Sequence, residues 1–389
     1  TNKTEGLRKM TDTSESKQEE IIGKITHGPV VFAVGKVYQI VYHTNVKGIA
    51  WVVVDGKEYY DECGAIIKSE SIHHNVSIPT DVLDKAGEYT ICFAPVGERK
   101  PYFPEKGDVI SACFKFYPID TTDGLQLYCI ADSHSNLENC CRTAQYYGDK
   151  LDLLVLCGDI NSESVSIDKL YDISVVAFEL TKGSKPVVYA RGNHELRGQA
   201  AENIGEFVGN DNGNMYYTFR IGKLWGVVLD CGEDKKDDHP EYGGLVNFEG
   251  YRQAQTSFLK RIISDSDCEY NAPGVEYRIG VCHIPFPTEK YPPSPEVYND
   301  WTELCSQMNL DVMISGHLHR AFIQRAGEFR DNQLFNIVVC ASPNKIIDDI
   351  FDFVGSAVEI DDKEVTVKFT NILHNVKSVE KWSRKRQTT

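Results

Sequence analysis

The chain predicts an α/β fold in which two β-sheets pack as a sandwich flanked by helices, preceded by a smaller all-β unit. Three observations predict it. From about Pro29 to Tyr117, short runs rich in Val, Ile, Tyr and Phe alternate with a period of two. After Gly124, apolar runs alternate with stretches of helical spacing, the βα pattern of a layered fold. Then Phe335–Ala341, Ser356–Ile360 and Val365–Asn371 add strands with no helix between them, which calls for a second sheet. At 389 residues the chain also exceeds the usual size of one core, so two domains are expected.

Taken in order, residues 1–26 read as a flexible leader with a short helix around Ser16–Ile25. Residues 27–119 hold the strands Val37–Thr44, Ile49–Val54, Ile72–Ile78, Glu88–Ala94 and Ile110–Tyr117, with turns at Asp55-Gly56 and Ala86-Gly87. Their even spacing predicts a β-sandwich of immunoglobulin or fibronectin type. His43, His73 and His74 in it are assigned to packing or surface. Ile119–Gly124 reads as a linker. The second domain, 124–375, carries helical patterns over Asn136–Gly148, Val165–Thr181, Phe248–Ile263 and Val297–Met308. Residues 376–389 read as a tail, with Lys381–Arg386 a solvated basic end.

Composition narrows the function. The formal net charge of −16 opposes non-specific attraction to nucleic acid or an anionic membrane, which favours a small substrate over a long polyanion. No run approaches the roughly 18 apolar residues of a membrane span. Thr1–Lys24 is polar and charged, unlike a signal peptide, although a processed start at Thr1 would hide one. Of twelve cysteines, Cys92, Cys129, Cys157, Cys282 and Cys340 sit in or at the ends of apolar runs and none forms a CxxC pair. Buried thiols in a reducing compartment, and hence a cytoplasmic protein, are expected.

Five apolar runs stop at metal-type side chains. Leu125–Ala131 runs into Asp132-Ser133-His134, Leu151–Cys157 into Gly158-Asp159, and Pro186–Ala190 into Arg191-Gly192-Asn193-His194-Glu195. Arg278–Cys282 meets His283, and Asp311–Ser315 meets Gly316-His317-Leu318-His319. Ligands bind at the carboxyl ends of strands in such sheets, so these segments are expected to converge. Five of the eleven histidines fall on the five motifs, which makes a chance arrangement improbable.

In this order DxH, GD, GNHE, a lone His and GHxH resemble the calcineurin-like metallophosphoesterase superfamily from about Leu125 to His319. The resemblance implies that fold for the second domain, with one metal on Asp132, His134, Asp159 and His319 and another on Asp159, Asn193, His283 and His317. A carboxylate has two oxygens and can bridge cations at ~3.5–4 Å, and Asp159 is the natural bridge. Imidazole with carboxylate and amide oxygen suits divalent Mn, Fe, Zn, Co or Ni rather than Ca. Such a pair lowers the pKa of water held between the cations and generates hydroxide for in-line attack on phosphorus. The resemblance also makes His194 a catalytic residue outside the metal shell, polarising phosphate or protonating the leaving alkoxide.

Around this set, Arg191, Arg197 and Asn161 are candidates for substrate contact, with charge balance and turn capping as their alternatives. Glu195 is expected to orient a histidine from behind. Gly158, Gly192 and Gly316 are assigned to tight turns. The polar stretch between Asp230 and Phe248 is expected to be a surface loop of the kind that sets substrate choice; His239, Tyr242, Phe286-Pro287 and Tyr291 are assigned to solvated loops, with substrate contact or a pocket wall beside His283 as the alternative.

A β-sandwich before the catalytic domain resembles the layout of purple acid phosphatases. Their DxG and GDxxY motifs are here Asp132-Ser133-His134 and Gly158-Asp159-Ile160-Asn161-Ser162, so the tyrosinate that favours ferric iron is missing and His134 is gained. A colourless divalent pair is expected. The GDxxDRG signature of protein Ser/Thr phosphatases is absent too. The reading is hydrolysis of a small phosphomonoester or phosphodiester. The alternatives are a nuclease and a non-catalytic metal-binding protein whose sandwich recruits a protein partner that the sequence does not identify.

Overall fold

Leu125–Ile130, Leu153–Leu156 and Pro186–Tyr189 lie side by side as parallel strands. Every residue of the last two is buried, as expected of strands covered on both faces. The computed structural model describes residues 25–64, 66–347 and 350–384. Within it this trio is the centre of a thirteen-stranded sheet, extended on one side by antiparallel Ile350–Ile360, Glu364–Thr370 and Val376–Ser383. On the other side Ile25–Val34 pairs in parallel with Pro186–Tyr189 (Val31↔Pro186, Phe32↔Val187) and antiparallel with Val37–Val54.

The N-terminal strands therefore continue the sheet that carries the motifs. The sequence reading placed residues up to 26 in a leader and missed the strand that begins at Ile25. The signal was there, since Pro29–Val34 is an unbroken apolar run, buried from Val30 onward. Residues 1–24, including most of the expected leader helix, lie outside the described residues.

Val37–Thr44 and Ile49–Val54 are one bent strand, Val37–Val54, with a bulge between His43 and Gly48. Its first half pairs with Ile25–Val34 and Glu70–Pro79, and its second with Glu88–Pro95 and Lys57–Tyr60. Gly48 is needed at the bend, where a Cβ would run into the Phe93 ring and the Ala94 carbonyl. A bulge of this kind bends a strand and increases its twist.

The second sheet has six strands. Leu224–Leu229, Tyr277–Cys282, Val312–Ser315 and Ile337–Val339 are parallel, and Tyr217–Ile221 and Phe322–Gln324 flank them antiparallel. Alternate residues divide between two cores. Ile279, Val281, Val312 and Ile314 join Leu127, Val155 and Val188 between the sheets. Cys282, Met313, Ile337 and Val339 instead face Leu259, Tyr298 and Trp301 of the outer helices Phe248–Ser264 and Pro295–Gln307. Fully burying each such aliphatic side chain is worth about 1.5–3 kcal/mol, and both faces use it. The two helices expected at the first sheet run Leu137–Ala144 and Ile167–Thr181.

The expected tail differs in its first eight residues. Val376–Ser383 forms an edge strand on Glu364–Thr370. Lys381 pairs with Glu364 at 2.6 Å, and Arg384 makes two bonds to Asp311 at 2.7 and 3.0 Å. Those basic residues tie the end of the sheet down. Residues 385–389 lie outside the described part. No described helix is long and apolar enough to cross a membrane.

Candidate metal centre

All five motif segments reach one end of the paired sheets. Three overlapping groups result, each with ligand atoms within 4.8 Å of one another: Asp132, His134 and His319; His134, Asp159 and His194; Asp159, His283 and His317. Asn193 joins through Oδ1, 3.0 Å from His317 Nδ1. The first sheet supplies Asp132, His134, Asp159 and Asn193, and the second supplies His283, His317 and His319.

The backbone is strained where the ligands sit. Asp132, His134, Asp159, His317 and His319 all have φ between 45° and 69°, the left-handed region that non-glycine residues seldom adopt. Strain of this kind costs about 1–3 kcal/mol per residue and concentrates at functional sites. It persists here because the turns are held. Gly192 is pressed against Asp159 and Glu195, and a Cβ there would collide with both.

Glu195 differs from its expected role. Its buried carboxylate accepts N–H groups from Asp159 (2.9 Å), Ile160 (2.7 Å), Asn161 (3.3 Å) and Gly192 (2.7 Å). No imidazole hydrogen-bonds to it among the described residues. It fixes the Gly158–Asp159 turn and so acts on a ligand's backbone rather than on a histidine.

Asp159 Oδ1 accepts the His194 N–H at 2.9 Å. Its Oδ2 faces three imidazoles, with His283 Nε2 at 3.2 Å, His194 Nε2 at 3.9 Å and His134 Nε2 at 4.0 Å. Both Asp132 oxygens accept the His317 N–H at 3.0 Å, and Oδ1 lies 3.5 Å from His319 Nε2. Three buried carboxylates thus share one small region. Burial, with Asp159 added, raises Asp132 to about 7, although His283 opposes the shift. Burial and then Asp159 raise Glu195 to about 7. Burial would raise Asp159 too, but His283 and then His194 hold it well below the usual carboxylate range. Burial would lower His283, yet Asp159 and Asp132 raise it to about 10. Burial pushes His134 and His317 down to about 4. Asp132, Glu195 and His283 thus hold protons tightly, as groups do where buried carboxylates lack countercharge, whereas burial strips His134 and His317.

The side chains fit cations. His283 Nδ1 lies 2.6 Å from the Cys157 carbonyl, which can only accept, so Nδ1 keeps a proton and Nε2 is the nitrogen that would give its proton up to a cation. That Nε2 is buried and makes no well-aligned hydrogen bond, although Asp159 Oδ2 faces it at 3.2 Å as a charge partner. His134 Nε2 and His319 Nε2 point at each other across 3.0 Å. Fixing one ring nitrogen so that the other can ligate is the usual outer support of a metal histidine.

His194 is held beside this set. Its Nδ1 is 2.6 Å from the Ser162 carbonyl, and Arg197 Nη1 donates to its Nε2 at 3.0 Å. Ser162, at the position of the purple-enzyme tyrosine, donates Oγ–H to the His134 carbonyl at 2.7 Å. Arg191 has another partner than substrate, for its guanidinium bonds Asp230 at 2.7 and 2.8 Å and lies over Tyr251. Asn161 is fully buried, and its amide donates to Ser164 Oγ at 3.3 Å and the Lys169 carbonyl at 3.5 Å, while its Oδ1 has no hydrogen-bond partner. Phe286 is neither in a solvated loop nor a pocket wall, being buried against Tyr298 and Trp301. Tyr291 is exposed.

Sequence reasoning missed Glu233. It is buried and grips Arg197 through Nε at 2.6 Å and Nη2 at 3.0 Å. Its only sequence signal is its position two residues after Cys231, where an apolar strand gives way to a polar loop.

Two sheets with helices outside, and histidines and carboxylates gathered at one end, define a metal-binding α/β hydrolase. The model of the calcineurin-like phosphoesterase family matches residues 125–321, about half of the chain, and the protein belongs to that family of phosphoric ester hydrolases. Among solved structures it is similar to a purple acid phosphatase from seeds of yellow lupin (Lupinus luteus), with TM-score 0.57, 13% identity, and coverage of 92% of this chain and 75% of that one. It is also similar to PhoD, with TM-score 0.51, 12% identity, and coverage of 93% and 90%. At these identities the likeness is one of fold. No curated protein matches it in sequence.

Proposed function

We propose that the chain is a binuclear metal-dependent hydrolase of a small phosphomonoester or phosphodiester. The observation that carries this reading is the placement of Asp159, whose carboxylate belongs both to the group with His134 and to the group with His283 and His317. Asp132, His134, Asp159 and His319 would hold one divalent ion, and Asp159, Asn193, His283 and His317 the other. Mn, Fe, Zn, Co or Ni suits this donor set. Bound there, the ions would neutralise charge on phosphoryl oxygens and acidify water for attack on phosphorus.

The chain's own residues do the rest. His283 is fixed by Cys157, and the turn bearing Asp159 by Glu195, so two ligands are set before any ion arrives. His194 presents Nε2 on the Asp159 side of the cluster, where it meets the phosphoryl group or the leaving oxygen. Arg197 stands next to it with a guanidinium suited to phosphate oxygens. Residues 124–375 are read as the catalytic unit and 27–119 as an immunoglobulin- or fibronectin-type unit whose strands continue the catalytic sheet.

Hydrolysis of p-nitrophenyl phosphate and bis(p-nitrophenyl) phosphate with added Mn tests the proposal. Turnover of at least one ester, lost in Asp159→Ala and His194→Ala with folding intact, is expected. Equal rates in wild type and both variants would contradict the assignment.

A further inference from the structure

The loop after Leu224–Leu229 reaches the cluster through a chain of charged contacts. Arg252, on the helix Phe248–Ser264, is fully buried and donates to the Cys231 carbonyl (2.7 Å), the Glu233 carbonyl (2.6 Å) and Ser294 Oγ (3.1 Å). These bonds pin the first residues of the loop. Glu233, so pinned, is 2% exposed at its side chain and takes Arg197 in a two-pronged grip, using Nε and Nη2. The remaining arm, Nη1, points at His194 Nε2. His194 is fixed at its other nitrogen by Ser162.

We propose that Glu233 is a positioning residue that aims Arg197 at the substrate phosphoryl group, with the second N–H of Nη1, whose first meets His194, contacting a phosphoryl oxygen. The proposal rests on the phosphoesterase reading above. Arg197 is one-third exposed, so without a partner its long side chain samples many rotamers, and ordering them costs free energy on every binding event. Glu233 removes that cost in advance. A buried carboxylate with no cation would be strongly disfavoured, so the pair is kept together. Aligned bidentate contacts fix direction as well as distance, which a lysine at 197 cannot reproduce. Because Nε and Nη2 are already engaged, the guanidinium offers the substrate one edge. Asp234 and Lys235, next along the loop, pair with each other at 2.9 Å, and Glu233 faces Arg197 alone among these cations. The loop's polar length is thereby divided between an anchored start that serves the site and an exposed remainder around His239–Leu245.

A double-mutant cycle on the full-length Mn-loaded enzyme, with bis(p-nitrophenyl) phosphate or the monoester as probe, tests this. Glu233→Gln is expected to lower kcat/KM about tenfold and Arg197→Ala about ten- to a hundredfold, the range for a hydrogen bond to a charged group. The double variant should be no worse than Arg197→Ala, since Glu233 acts only through Arg197. Free guanidinium should partly restore Arg197→Ala and fail to restore the double variant, which a general loss of folding would not produce. Full activity in Glu233→Gln, additive losses in the double variant, or equal rescue with and without Glu233 would overturn the proposal while leaving the metal reading intact. A wild type that hydrolyses neither ester would overturn the metal reading, and the proposal with it.

Discussion

Two histidine clusters in this molecule look alike in composition and differ in everything that makes a site. At the metal centre five imidazoles converge on the buried carboxylates Asp132 and Asp159. At the seam between the N-terminal strands and the helix Ile167–Thr181, His27, His43 and His73 gather around Tyr171 and Phe207 instead. There His43 Nδ1 meets His73 Nδ1 at 2.9 Å and His43 Nε2 meets Ser174 Oγ at 3.2 Å, while His27 stacks on Tyr171 with its buried Nδ1 unbonded. No carboxylate forms a hydrogen bond or ion pair with these three among the described residues, and none of the three has φ above zero. Histidine alone marks nothing. Carboxylates that need a countercharge, together with strained backbone, mark the candidate metal centre; an unbonded ring nitrogen does not, since each cluster has one.

The largest effect expected from breaking the contrast is at Asp159. Asp159→Ala should lower kcat/KM by at least about a thousandfold, because a shared ligand is worth several kcal/mol of charge stabilisation, and elemental analysis should show fewer bound ions per chain. His43→Gln should leave the metal content unchanged. A His43 variant that loses ions would erase the distinction.

His194→Ala comes next, with a fall in kcat of about 10²–10⁴-fold and unchanged metal content, as for a group that acts beside the ions. A drop in metal content would make it a ligand. Colour sharpens the contrast with the lupin enzyme's class. With Ser162 bonded to the His134 carbonyl, the Fe-loaded protein should lack a visible tyrosinate charge-transfer band, and an absorption spectrum checks this.

The smallest effect belongs to the seam. Burial, and then His73, lower His43 to about 2, so the native state keeps it neutral while the unfolded chain takes up a proton below pH 6.5. Stability is therefore unaffected by His43 above that value and falls as pH drops toward 2, by at most about 1.4 kcal/mol per pH unit. Urea unfolding between pH 7 and 5 should show a loss of roughly 2 kcal/mol that His43→Gln reduces. Parallel curves for the two proteins would remove His43 as the cause.

The site was more legible than its supports. Asp132, Asp159, Asn193, His283, His317 and His319 each follow an apolar run within a few residues, so local pattern and burial report the same thing. Glu195 was read as a histidine partner because sequence shows its neighbours and not the three-residue turn into which it folds back. Glu233 and Arg197 are 36 residues apart and pair directly from a loop start that Arg252 pins by the Glu233 carbonyl, contacts no local pattern carries. The fold was legible where strands are bounded by turns and less so at its joins. Ile25–Val34 starts in the stretch read as leader and runs on into the one read as sandwich, and Val376–Ser383 lies in the stretch read as tail; one links the N-terminal strands to the central sheet and the other forms its edge.

Anomalous diffraction from Mn-loaded crystals tests the central claim most directly. Two peaks about 3.5–4 Å apart on either side of the Asp159 carboxylate, and none at His43, are predicted. A single peak, or a pair that leaves Asp159 out, would contradict it.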